Sequence, residues 1–133
     1  MKIAVLGTGR MGRWLATELA AQNQVAVFDR NPTQAQGIPG VQVFDSASEL
    51  QNFAPELFAN CVDIKSTVAA FQSVEAILPP DCMLCDIASI KEDVAAYYQS
   101  ASRPFVSIHP MFGPTFSKLD ALREENGVII NES

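Results

Sequence analysis

The chain opens on an apolar run, Ile3-Ala4-Val5-Leu6, that breaks at Gly7-Thr8-Gly9-Arg10-Met11-Gly12 and passes at once into a stretch where Met11, Leu15, Leu19 and Ala20 recur at helical spacing. A strand that enters a helix through a short glycine-rich loop is the first half of a crossover, because the helix carries the chain back across the sheet to start a parallel neighbour. The next β-rich run, near 24–29, supplies that neighbour, with the helix predicted over about 11–22.

This alternation continues along the chain. Strands are predicted near 2–7, 24–29, 41–44, 56–62, 82–87, 104–109 and 127–131. Between them lie helix-start signals. Asn31 before Pro32 is a cap followed by a first-turn proline, with Gly37 at the exit. Ser46 and Glu49 form a capping box for a helix over about 47–53, and Asp63 caps one over about 64–78 that Pro79 and Pro80 end. Phe116, Leu119 and Leu122 mark a further short helix. The pattern predicts an α/β domain: a Rossmann-type, doubly wound, mainly parallel sheet with helices on both faces. At 133 residues it is one domain, too short for a cofactor domain plus a full substrate domain.

A net charge of −6 without a basic cluster excludes nucleic acid and anionic membrane as expected partners. No secretory signal pattern and no apolar run of membrane-spanning length is present, so a cytoplasmic protein is expected. Cys61, Cys82 and Cys85 form an odd set. Cys82 and Cys85 have redox-motif spacing, but a strand sends positions three apart to opposite faces, so free, packed thiols are expected. Two such cysteines and one distant histidine are too few ligands for a metal site, and none is expected.

Gly7, Gly9 and Gly12, with Thr8, Arg10 and Met11 between them, match the glycine-rich dinucleotide fingerprint. Gly7 permits the tight turn, Gly9 lets the backbone approach a pyrophosphate, and Gly12 lets helix and strand pack closely. The phosphates would meet the free amides at the helix N-terminus. Asp29 ends the next strand at the separation expected of a ribose-binding acid, and its charge favours NAD over NADP. Arg30 is either a solvated turn side chain or a group that stacks on adenine or pairs with an additional phosphate.

Ligands of an open parallel sheet bind beyond the carboxyl ends of its strands. Asn60 to Asp63, Asp86 to Ser89 and His109 fall there too. His109 is the only histidine, and Pro110 holds it extended. With Gly113 and Pro114 stiffening the turn, it is expected to project from a constrained loop as a general base; the alternative is a partly buried histidine at a strand end. Ser89-Ile90-Lys91-Glu92 has the capping-box pattern for a helix near 90–101, which would leave the Ser89 hydroxyl proton available to a substrate oxygen or an imidazole.

Asp86-Ile87-Ala88-Ser89-Ile90-Lys91 followed by Ser107-Ile108-His109-Pro110-Met111-Phe112-Gly113-Pro114, behind the glycine fingerprint, resembles the nucleotide-binding domain of the prephenate/arogenate dehydrogenase family over essentially the whole chain. The resemblance implies NAD-dependent oxidative decarboxylation of prephenate in tyrosine biosynthesis. His109 would accept the ring-hydroxyl proton, and Ser89 would hydrogen-bond the histidine and the hydroxyl. Lys91 matches the motif lysine and receives no role. The segment Asn60-Cys61-Val62-Asp63 departs from the more apolar, proline-containing stretch of many related dehydrogenases. The resemblance also implies a helical C-terminal domain, absent from this chain, that completes the substrate pocket, supplies an arginine for the substrate carboxylate and makes a homodimer. The 133 residues alone would then be inactive. Arogenate as substrate, another β-hydroxyacid or imine dehydrogenase, and a non-catalytic NAD-sensing module remain open alternatives.

Overall fold

The computed structural model describes residues 1–114 and 127–130. Among these, seven strands form one sheet: β1 (Lys2–Leu6), β2 (Gln24–Phe28), β3 (Val41–Val43), β4 (Leu57–Asn60), β5 (Met83–Asp86), β6 (Phe105–Pro110) and β7 (Gly127–Ile130). Their order is β3-β2-β1-β4-β5-β6-β7. All neighbours are parallel except β7, which runs antiparallel to β6. The order reverses between β1 and β4, which puts a crevice at their carboxyl ends.

Among the described residues five α-helices cover the sheet: α1 (Arg10–Leu19), α2 (Pro32–Ala35), α3 (Ala47–Phe53), α4 (Thr67–Val74) and α5 (Glu92–Ser100). Both faces of each central strand are buried, as the apolar runs require. Ala4, Ala26, Phe58 and Leu84 pack against Leu50 and Phe53 of α3, Phe71 of α4, and Tyr97 and Tyr98 of α5. Ile3, Val5, Val25, Val27 and Ala59 alternate to the other face, against Ala16 of α1 and Ala35 of α2. The doubly wound sheet predicted from the sequence is the fold.

Local signals act largely as read. The Asn31 side chain accepts from the Thr33 amide, and Ser46 and Glu49 make a reciprocal capping box. Two stretches differ. The helix expected over 64–78 is a 3-10 turn at Ile64–Ser66, capped by Asp63, followed by α4, which ends at Val74 ahead of the prolines. The carbonyls beyond it are claimed from across the fold by the Arg103 guanidinium, which donates to Glu75 at 2.7 Å, to Leu78 at 3.1 Å and to Pro79. The second difference is at Ser89, which caps no helix. Helix α5 starts only at Glu92, with Lys91 at its N-cap and no side-chain cap bond, because Lys91 is drawn inward to Asp86. The helix expected around Phe116 to Leu122 lies outside the described residues. Among the described residues no helix is long and apolar enough to cross a membrane.

Candidate functional site

At the end of β1 the chain turns through Gly7 at φ +88°, where a Cβ would stand 2.9 Å from the Cys61 carbonyl carbon and the Val62 amide. A Cβ at Gly12 would lie 1.9 Å from the Gly7 carbonyl oxygen. Neither position has room for a side chain. Gly9 is the opposite: a Cβ there meets nothing within 4 Å, and the residue borders an open cleft. Gly9 is also the N-cap of α1, with no side-chain cap bond and no acidic residue in the first turn. The first-turn amides and the positive helix end therefore remain available to an anion.

The cleft encloses about 500 Å³ and is lined by Gly7, Gly9, Asp29, Arg30, Asp63 and Ser66 among others. Asp29 is held from within the protein: its Oδ2 accepts from the Thr8 amide at 2.6 Å and the Thr8 hydroxyl at 2.9 Å, and its Oδ1 from the Asn31 amide at 2.8 Å. Burial pushes its carboxyl up, but these hydrogen bonds and the Arg30 charge outweigh it and hold the group below its ordinary value of 3.8. Asp63 is lowered chiefly by its hydrogen bond with the Ser66 hydroxyl, with Arg30 again contributing. Arg30 thus lies in the field of two carboxylates.

These features fit a nicotinamide dinucleotide. A cradle that admits no Cβ at Gly7 or Gly12, an open approach at Gly9 and a carboxylate beside it match a pyrophosphate and a ribose. Of the predicted cofactor residues, Gly7, Gly9, Asp29 and Arg30 line the cleft. Thr8 is turned inward onto Asp29, Gly12 packs behind the loop, Arg10 is exposed, and Met11 faces Gly113. The sequence marks Asp63 as a helix cap within the Asn60–Asp63 stretch at the ligand-binding edge, without a specific contact, and does not single out Ser66.

Farther along the carboxyl edge, Asp86 is fully buried at the end of β5. Its Oδ2 accepts from Lys91 Nζ at 2.7 Å and the Ala88 amide at 3.0 Å, and its Oδ1 from the Tyr98 hydroxyl at 3.0 Å. Burial, then the Asp86 charge, push the Tyr98 hydroxyl far up, so it stays a donor. Lys91 Nζ also donates to the Ile108 carbonyl at 2.7 Å.

His109 is not in a loop. It is half-buried within β6 and paired with Val128 of β7, which holds it extended by a ladder as well as by the following proline. Ser89 is exposed, and the Ser89 hydroxyl and His109 imidazole make no hydrogen bond to each other or to another described residue. The segment after His109 packs on α1: Phe112 meets Trp14 edge-on at 6.0 Å, and a Cβ on Gly113 would lie 3.1 Å from Met11 Sδ. The histidine segment and the phosphate-facing helix are thus one packed unit.

All three cysteines are free. Burial raises Cys82 to about 11 and Cys85 to about 12, and pushes Cys61 up as well. Cys82 shares a face with Leu84, while Cys85 lies on the other face within the field of Cys61.

The prephenate dehydrogenase nucleotide-binding domain model matches residues 15–126, a range that holds both the Asp86–Lys91 and the His109–Pro114 motifs. No curated protein sequence matches. Among solved structures, prephenate dehydrogenase from A. aeolicus, in complex with hydroxyphenyl propionate and NAD+, superposes with a TM-score of 0.83 at 19% identity, over 99% of this chain and 51% of that one. Arogenate dehydrogenase from Synechocystis gives 0.70 at 24% identity, over 83% and 41%. The 3-hydroxyisobutyrate dehydrogenase of Mycobacterium tuberculosis, with L-serine, gives 0.72 at 25% identity, over 86% and 42%. The chain spans about half the length of these structures or less. With a family match over most of its residues on a doubly wound sheet, the chain belongs to the family of prephenate dehydrogenase nucleotide-binding domains.

Proposed function

We propose that this domain serves an NAD-dependent dehydrogenase that oxidatively decarboxylates prephenate to 4-hydroxyphenylpyruvate in tyrosine biosynthesis. One observation carries the reading: His109 and the Ser89 loop stand on the same sheet edge as the glycine cradle, and the Phe112–Trp14 and Gly113–Met11 contacts tie the two together. We also propose that a helical second domain closes the substrate pocket, supplies a cation for the substrate carboxylate and forms a homodimer, in a cytoplasmic protein.

The amides of the first turn of α1 hold the pyrophosphate, and Asp29 accepts from the adenosine ribose hydroxyls. Asp29 and Asp63 both repel a 2′-phosphate and share the field of Arg30, which favours NAD over NADP. When bound, the nicotinamide supplies the hydride acceptor. His109 takes the substrate hydroxyl proton as hydride leaves the same carbon. The ring carboxylate then departs as carbon dioxide, its bonding electrons make the ring aromatic, and the proton returns to the oxygen, giving a phenol. Ser89, exposed and free of any capping duty, hydrogen-bonds that oxygen.

Arogenate is the second reading, favoured by the Synechocystis structure. The test is to assay the full-length protein with prephenate and arogenate, each with NAD and NADP, following reduced nicotinamide and carbon dioxide together. Stoichiometric release of both products from prephenate with NAD is expected. Faster turnover of arogenate would reassign the substrate. NAD binding without turnover of either would leave a cofactor sensor.

A further inference from the structure

Strand β6 runs on past its parallel neighbour. The last β5–β6 pair is Asp86 with Ser107, whereas Ile108, His109 and Pro110 continue against β7 alone, opposite Ile129, Val128 and Gly127. On the side facing β5, the strand that carries the histidine has lost its ladder. Lys91 stands in for it, because one ammonium donates at 2.7 Å to the Ile108 carbonyl and at 2.7 Å to Asp86 Oδ2. The far end of this brace is rigid. Asp86 is fully buried and also accepts from the Ala88 amide, one residue before Ser89, and from Tyr98 of α5. A carboxylate held by donors from three directions has little freedom, and Lys91 carries that geometry to the residue beside the histidine.

We propose that Lys91 is a positioning residue for His109. Through the Ile108 carbonyl it sets how the imidazole projects from the sheet edge, and through Asp86 it references that position to the Ser89 loop. The proposal rests on the reading of His109 as the proton acceptor. A role limited to neutralising Asp86 would be met equally well by removing both charges, which makes the two roles separable.

Lys91→Met alone strands a buried carboxylate and is expected to destabilise the fold. The deciding variant is the pair Asp86→Asn, Lys91→Met in the full-length protein, where Asn keeps an acceptor for Ala88 and the Tyr98 hydroxyl can accept in turn. Misplacement of a reacting group by about 1 Å costs about 10²-fold, so kcat should fall by that order while the NAD dissociation constant stays within about twofold. The imidazole resonance, unambiguous because His109 is the only histidine of this chain, should move or broaden in the isolated 133 residues. A kcat within about twofold of the unsubstituted protein, or an unmoved imidazole resonance, overturns the proposal. If the unsubstituted full-length protein turns over neither prephenate nor arogenate, the functional reading has failed, and the imidazole resonance alone decides the positioning role. Should the paired variant not fold, the Lys91 ammonium of the unsubstituted chain decides it: a resolved, exchange-protected signal with contacts to the Ile108–His109 backbone is expected, and a rapidly exchanging one refutes the brace.

Discussion

At the β1–β2 side of the carboxyl edge, the polar groups hold one another: Thr8 gives both its donors to Asp29, Asn31 gives its amide to the same carboxylate, and the glycine turns leave no slack. At the β5–β6 side the backbone is braced as firmly, through Asp86 and Lys91, yet the Ser89 hydroxyl and the His109 imidazole make no hydrogen bond to any described residue. Beside them Ile90 and Met111 are 63% and 62% exposed. One side is closed in the sense that its polar groups pair with one another around the cleft. The other presents uncommitted polar groups, as the proposed function requires of a side that meets a substrate and a second domain.

The sharpest way to break this contrast is His109→Asn in the full-length protein. On the proposed function, loss of the general base costs about 10² to 10⁴ in rate, and NAD affinity should stay within about twofold because the phosphates would be held at the other side. Wild-type turnover in a stopped assay, or a large loss of NAD affinity by calorimetry, would merge the two regions or displace the base.

A pair of glycine changes sharpens the closed side. Gly12→Ala drives a methyl into the Gly7 carbonyl and should destabilise the domain by about 3 kcal/mol in urea unfolding. Gly9→Ala meets open space, so stability should change by less than about 0.5 kcal/mol, while NAD binding weakens by about tenfold because the methyl enters the phosphate approach. Equal effects on stability would show that the cradle does not separate packing from binding.

Asp29→Asn should reduce the preference for NAD over NADP by about tenfold in parallel titrations. Its pH dependence has a definite sign. The folded carboxylate lies below 3.8, so its contribution is complete above the ordinary carboxylate range and is lost as pH falls through the lowered value. The thermal midpoints of wild type and Asp29→Asn should therefore converge in acid and stay apart at neutral pH. A gap unchanged in acid would mean that the Thr8 and Asn31 bonds do not depend on the charge.

The smallest effect is expected at Ser89. Because α5 begins at Glu92 and Ser89 caps nothing, Ser89→Ala should leave unfolding within about 0.5 kcal/mol of wild type while lowering turnover in the full-length protein. A loss of about 1 kcal/mol in stability would restore the capping role.

Much of the architecture was legible because its signals are local. Alternating apolar runs, the Asn31 cap and the Ser46–Glu49 box each act through residues adjacent or one helical turn away, and each appears where the chain predicted it. The glycine spacing at 7, 9 and 12 was legible too, although the close approach that requires Gly7 comes from Cys61 and Val62 beyond β4. The error at Ser89 has the same origin seen from the other side. Its capping pattern is locally valid, but Lys91 is claimed by a carboxylate on the preceding strand and a carbonyl on the following one, and that competition delays the helix.

Sequence by itself therefore determined the order of elements, the burial of both sheet faces and the presence of a glycine cradle, a terminal acid and a lone histidine, since periodicity and turn chemistry are written in neighbouring residues. Only the tertiary structure decided that Arg30 lies in the field of Asp63 as well as of its neighbour Asp29, that Arg103 closes the end of α4, and that Lys91 braces the histidine strand against a buried aspartate. Each joins residues well separated along the chain, and such distances are set by how the helices and loops pack on the sheet.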